Sequence, residues 1–412
     1  MTAYEAVIDP FVAERGNRVN THYFDHSASS PMYPRVIETI SDIMKLHYAN
    51  PAALHRAGSE AAKLVERARA SVAERFGAEP REVVFTSGGT ESNNLAIRGT
   101  IENATRPSKH VITTSIEHAS VFECVKQLGL QGVDVTVLPV DTEGRVSPED
   151  VAAAMRKDTV LVSIMHVNNE TGTIQPIEEI GRIVARHTQA RFHVDGVQAI
   201  GKVPFHWGAS GVHLYSGSAH KFGGPKGVGF LLAQEGTRLA PLLSGGGQED
   251  GVRSGTSNVP GIVGTAQALR LTMEGMSRRS AAMYGFRNQL LRAVADIPEL
   301  VTNGIGIEEP VGSQKHRTAP HIVNLSYPGM RPEVLVHMLE KRGILVSTQS
   351  ACSSKSLQPS RVLLAMGCGE ARATGSIRIS FGDEHTEQHI ALLVSALRQA
   401  VAELKPLERS NR

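Results

Sequence analysis

The chain has 412 residues, 41% of them hydrophobic and 20% charged, and a formal net charge of +2. A balance this near neutral provides no strong field for nucleic acid or an anionic membrane surface, and no apolar run is long enough to span a bilayer. The start, Met1-Thr2-Ala3-Tyr4-Glu5-Ala6, lacks the basic flank and apolar core of a secretory signal, so a cytoplasmic location is expected.

In chain order, a helical pattern from Ser59 to Phe76 precedes a β-branched run at Val83-Val84-Phe85. The run leads into Thr86-Ser87-Gly88-Gly89-Thr90-Glu91, which reads as a strand-to-helix turn. Further apolar runs fall at 110–113, 133–138, 160–164, 191–195, 212–215 and 228–232. Helical patterns lie between several of them, one carrying Cys124 and one running from Pro176 to His187. Such alternation predicts a mostly parallel sheet covered on both faces. Ligands bind such sheets beyond the carboxyl ends of the strands, where Gly89, Thr90, His118, Asn169, Asp195 and Lys221 fall. A long helical pattern from about Pro260 to Ile297 then leads to a second unit. That unit has strands predicted at 321–325, 344–346 and 376–380, and helices at 331–341 and 359–366 before a final helix. The expected division is a large domain over 30–275 and a smaller α/β domain made of 1–29 and 276–412.

Several of these residues together describe a chemistry. Lys221 stands in Ser218-Ala219-His220-Lys221-Phe222-Gly223-Gly224, at a strand end and ahead of a glycine-rich turn. Asp195 ends the preceding apolar run, with Gln198 three residues on. Singly, each reads as a loop charge or a turn former. As an ordered pair they suit pyridoxal phosphate (PLP), with Lys221 attached to the cofactor and Asp195 keeping its ring nitrogen protonated. Gly88-Gly89 and the helix behind them suit a phosphate, with Thr90 as the expected N-cap hydroxyl and Ser218 and His220 completing the cup. His118 could stack on the ring and move protons. Asn169 and Gln198 offer neutral hydrogen bonds. Arg378 sits mid-strand between isoleucines and suits an amino acid carboxylate, whereas Arg361 reads as a surface residue.

The chain has three cysteines, far apart in sequence, which suggests neither a disulfide framework nor a metal site. Cys124 fits a buried helical position, and Cys368 is assigned no role. Cys352, in the polar run Ser350-Ala351-Cys352-Ser353-Ser354, has the surroundings of a reactive thiol.

On these motifs the sequence resembles the cysteine desulfurases of the NifS/IscS type, within the class V aminotransferase fold of PLP-dependent enzymes. The resemblance runs from Tyr23-Phe24-Asp25-His26-Ser27 to Ile377-Arg378 and includes His166-Val167-Asn168-Asn169-Glu170 and Arg253-Ser254-Gly255-Thr256. It implies conversion of L-cysteine to L-alanine, with sulfur passing to Cys352 as a persulfide and then to an acceptor or scaffold protein. Lys221 would carry PLP, Asp195 and Gln198 would bind the ring, and His118 would stack on it. Thr90, Ser218 and His220 would bind the phosphate, and Asn169 and Arg378 the substrate carboxylate. Thr256 would reach a phosphate in the partner subunit of a homodimer. Two departures stand out: Gln349 replaces a glycine before the thiol, and the N-terminal run reads Ala28-Ser29-Ser30-Pro31. The competing expectation is a PLP-dependent cystine or selenocysteine lyase, which needs no persulfide on Cys352.

Overall fold

A computed structural model describes residues 21–187, 189–308, 315–349 and 358–408. The chain opens with β1 (His22–Tyr23) and helices α1 (Pro34–Leu46) and α2 (Arg56–Phe76). A seven-stranded sheet follows, built from β2 (Val83–Thr86), β3 (His110–Thr114), β4 (Asp134–Leu138), β5 (Thr159–Met165), β6 (Arg191–Asp195), β7 (Leu214–Ser218) and β8 (Gly229–Ala233). Its order is β2-β8-β7-β6-β5-β3-β4. The pairs from β7 to β4 are parallel, and β8 runs antiparallel to both its neighbours. The crossovers include α3 (Gly89–Asn103), α4 (Ala119–Leu130), α5 (Pro148–Ala154) and α6 (Ile177–Val184). Central strands such as β5 are buried along their whole length, which is why they read as continuous apolar runs rather than alternating ones.

The expected helix from Pro260 to Ile297 is two helices, α7 (Val259–Glu274) and α8 (Met276–Val294). The break falls at Gly275, whose backbone leaves helical geometry at φ −118° and ψ 13°. Glycine opposes helix continuation because it loses more chain entropy there than any other residue. Beyond it, β9 (Val301–Asn303), β10 (Ile322–Ser326) and β12 (Ser376–Ser380) form an antiparallel sheet, and β11 (Ile344–Leu345) pairs in parallel with β1. Helices α9 (Pro332–Glu340), α10 (Arg361–Ala365), α11 (Glu370–Thr374) and α12 (Glu387–Glu408) complete the chain. The expected helix at 359–366 starts later because Ser360 is its N-cap, its hydroxyl accepting the Leu363 N–H at 3.2 Å.

Two main apolar cores result. One lies around the large sheet and packs α2 and α7 on Val162, Val194, Phe230 and their neighbours. The other joins α8, α9 and α12 to β10 and β12, and it takes in Phe24 from the chain's start. The segment after β1 therefore belongs to the second core. It continues along β12, through a bridge between Asp25 and Ser380, on its way to the large sheet. Among the described residues, no helix is long and apolar enough to cross a membrane.

Candidate active site

The carboxyl end of β6 places Asp195, which is 5% exposed. Its carboxylate accepts the Asn93 side-chain amide at 2.8 Å and the Val197 N–H at 3.0 Å. Asn93 comes from the first turns of α3 and also donates to Ser120 Oγ at 2.9 Å, which lies 2.8 Å from His118 Nδ1. A hydrogen-bonded chain thus runs from Asp195 to His118. The sequence reading had not singled out Asn93, because a buried asparagine on a helix resembles any other polar helix residue.

His118 is the N-cap of α4, and its Nδ1 also accepts the Ser120 N–H at 3.2 Å. Burial, reinforced by Lys221, Arg361 and Arg378, holds its pKa below the ordinary histidine value, against the opposing pull of Asp195. The ring is therefore neutral near pH 7. With Nδ1 occupied as an acceptor, its proton sits on Nε2. In this form Nε2 is a hydrogen-bond donor.

Lys221 follows β7 on a single turn of 3₁₀ helix. Its Nζ donates to the carbonyls of Ser27 and Ala28. Gln198 Nε2 donates to the same Ser27 carbonyl at 2.9 Å, and Ser30 N–H donates to the His220 carbonyl at 2.8 Å. Residues 27–30 therefore wrap the lysine. His220 Nδ1 lies 3.3 Å from Ser29 Oγ, and burial lowers the His220 pKa to about 4. His321, also unremarked in sequence, is buried 3.5 Å from Gln198 and has an Nδ1 with no partner.

The turn between β2 and α3 is held open by glycine. Gly88 has φ +153°, and a Cβ on Gly89 would meet Val197 Cγ2 at 2.8 Å and Ser218 Cβ at 3.5 Å. The N-cap of α3 is Gly88, which corrects the expectation for Thr90: that residue is the second of the helix, and it is exposed. A glycine cap has no side chain to occupy the first helical N–H groups, which leaves them for an anion. Thr256 does not join this cup within one chain. It is exposed and lines a separate cavity of about 150 Å³ with Thr86, Ser87 and Arg253. Arg253 is held by Glu91 at 2.7 Å.

Arg378, on β12, is 1% exposed. Its two terminal nitrogens donate to the Asn169 carbonyl at 2.9 Å and to Asp25 Oδ1 at 3.0 Å, while its Nε has no partner. Arginine and lysine, from different cores, thus both rest on residues 25–28.

A cavity of about 290 Å³ is lined by His118, Asn169, Glu117, Gln349, Gln358 and Arg361, among others. Gln349 Nε2 donates to the Gln358 carbonyl at 3.0 Å, so the two residues that flank 350–357 sit on its wall. Cys352 itself lies outside the described residues. Arg361 is not the surface residue expected: it is partly buried, donates to the carbonyls of Ser115 and Glu117, and lies 4.0 Å over the Phe122 ring. Its place at the start of the short α10 aims it at the segment bearing His118. Glu117, 1% exposed, accepts from Thr114 Oγ1 at 2.6 Å and Met165 N–H at 3.1 Å, and burial pushes its pKa up to about 8. Cys124 is buried, as expected, with its thiol pKa raised by desolvation. Cys368 is partly buried.

These residues fit PLP on the structure's own terms. A hydrogen-bonded carboxylate, a glycine-capped helix start and a lysine amine come from the carboxyl ends of β6, β2 and β7, and an arginine beside them keeps an unsatisfied N–H. Residues 22–393 match the family model described as aminotransferase class-V. The chain is 44% identical over 377 residues to the NifS/IcsS protein homolog of Lactobacillus delbrueckii subsp. bulgaricus, covering 91% of this chain and 95% of that one. It is 39% identical over 386 residues to the cysteine desulfurase IscS of Dictyoglomus turgidum, covering 93% and 95%. Among solved structures, a NifS-like protein superposes with a TM-score of 0.86 at 37% identity, covering 93% of this chain and 100% of the other.

Proposed function

The chain belongs to the aminotransferase class-V family, and from that premise we propose that it is a PLP-dependent cysteine desulfurase acting through Lys221 and Cys352. The reading is carried by one juxtaposition: Gln349 and Gln358, which flank the Cys352 segment, line the same cavity as His118 and Asn169. In this reading the thiol between those two glutamines reaches the substrate that Arg378 holds.

When bound, PLP supplies an electron sink that loosens bonds at the substrate's α-carbon. The chain supplies the rest. Lys221 Nζ would hold the cofactor and, as a free amine, would take the proton leaving the α-carbon; Ser27 and Ala28 carbonyls keep this amine in place. Asp195, fixed by Asn93, keeps the ring nitrogen protonated. Ser218, His220, Thr90 and the N–H groups beside Gly89 would hold the phosphate, and Gln198 would bind the ring. Arg378 and Asn169 hold the cysteine carboxylate. His118 donates from Nε2. The Cys352 thiolate attacks the substrate sulfur, so that an S–S bond forms as the Cβ–S bond breaks. The electron pair stays with carbon, a proton takes the vacated position, and L-alanine leaves. Sulfur is oxidised to the persulfide level as carbon is reduced, so no outside oxidant is needed. An acceptor protein then takes the sulfur from Cys352.

The active unit in this reading is a homodimer whose cups are completed by the partner's Thr256. Exposed Ile37, Met44, Leu46, Tyr48 and Leu54 support it, since they gather apolar surface on α1 and the turn after it.

The test is the Cys352→Ser enzyme with cysteine. It should bind PLP and still change its cofactor absorbance on adding cysteine, but form almost no alanine or sulfide. Wild-type sulfide release from this variant would make the protein a lyase that expels sulfur directly.

A further inference from the structure

A second cluster of potential ligands lies behind the segment that holds Lys221 and Arg378. His26 Nε2 is 2.6 Å from Glu384 Oε1, and His385 Nδ1 is 3.9 Å from the same oxygen. The three donor atoms all lie within 4.8 Å of one another. Both histidines are buried, whereas the Glu384 side chain is 51% exposed. His26 stands 358 positions before Glu384 and its neighbour His385, which is why spacing did not suggest a metal set.

The surroundings leave these donors room to rearrange around a cation. Gly382 leaves room beside His26, because a Cβ there would overlap His26 Cε1 and approach Glu384 Oε2. His385 Nδ1 accepts the Gly382 N–H at 2.8 Å, a contact that a cation on this nitrogen would replace. His389, four residues on, packs edge-on at 5.9 Å from His385 and has a buried Nδ1 without a partner. A tetrahedral zinc ion needs donors ~3.4 Å apart, given bonds of ~2.1 Å. Reaching that spacing requires Glu384 to back away from His26 and the His385 ring to trade its Gly382 contact for the metal. Glu384, being half exposed, is free to move, and its exposure leaves a fourth position for water.

We propose that His26, Glu384 and His385 form a zinc-class divalent cation site that clamps the N-terminal segment to the residues before α12. Two His and one carboxylate form a donor set suited to zinc. Its location gives it reach. His26 stands between Asp25, which holds Arg378, and Ser27, which holds Lys221 and Gln198.

The experiment uses the full-length, PLP-loaded protein carrying Cys352→Ser, so that this thiol does not compete. It is dialysed against Zn²⁺, analysed for metal and melted, and a parallel sample is loaded with Co²⁺ for its visible spectrum. One equivalent of zinc per chain is expected, with a raised melting temperature and a cobalt spectrum free of thiolate charge transfer. Adding Glu384→Gln, a change at an exposed side chain, should weaken zinc binding at least ~10-fold and abolish the zinc-dependent rise in melting temperature. Adding His385→Gln should do the same. Zinc binding of equal stoichiometry and affinity in these variants, or no retained zinc in the parent, would overturn the site.

Discussion

Burial at Glu117 turns an ordinary carboxyl into a group that is protonated through most of the physiological range. Its folded pKa of about 8 lies above the ordinary value of 4.5. Below the ordinary value, both folded and unfolded chains hold the proton and burial costs nothing. As pH rises from there to about 8, only the unfolded chain ionises, so stability falls; above that the full penalty is present. Glu117→Gln should therefore gain on wild type by a few degrees of melting temperature at pH 8.5 and by little at pH 5. A difference independent of pH would refute this. Arg378 makes a different point. Its two terminal nitrogens are engaged by Asn169 and Asp25, and its buried Nε has no partner. Arg378→Lys keeps the charge and loses the fork, so KM for cysteine should rise by roughly 10- to 100-fold, in line with one charged hydrogen bond. Unchanged KM would place the carboxylate elsewhere. At Lys221, borohydride treatment of the yellow holoprotein should fix the label on the peptide containing that residue. Label on Lys226 or Lys202 would reassign the attachment.

At the scale of elements, the turn after β2 and the start of β8 are packed backbone to backbone. A Cβ on Gly229 would sit 2.6 Å from the Gly88 Cα and from the Gly217 carbonyl oxygen. Neither neighbour can move without shifting a strand or the turn before α3. Gly229→Ala is expected to cost ~1–3 kcal/mol of stability and to weaken retention of PLP during dialysis, because the displaced turn is the one that faces the phosphate. Normal melting and full cofactor retention in this variant would show that the turn yields at no cost. The same scale explains the broken helix: Gly275 ends α7 and starts α8, placing the change of direction where the chain passes from one core to the other.

The whole molecule brings two cores onto one short segment. Residues 25–28 give Asp25 to Arg378 and the carbonyls of Ser27 and Ala28 to Lys221, so substrate and cofactor ends of the site share one support. If the unit is a dimer with shared cups, sedimentation should give twice the chain mass. Paired Met44→Glu and Leu46→Glu changes on the exposed face of α1 should then shift it to monomer and weaken PLP retention; a wild-type monomer that holds PLP tightly would refute shared sites. The sequence determined the parallel sheet, because strands buried on both faces must be apolar throughout. It also determined the placement of Asp195 and Lys221 at strand ends, because local motifs carry them. It misplaced Thr90 as a cap and Arg361 on the surface, and it passed over Asn93, Glu117, His321 and the His26–Glu384–His385 group. Helix caps depend on backbone dihedrals, which glycine leaves open to either outcome. The remaining residues acquire their character from partners 48 to 358 positions away, and burial and desolvation exist only after those distant segments meet.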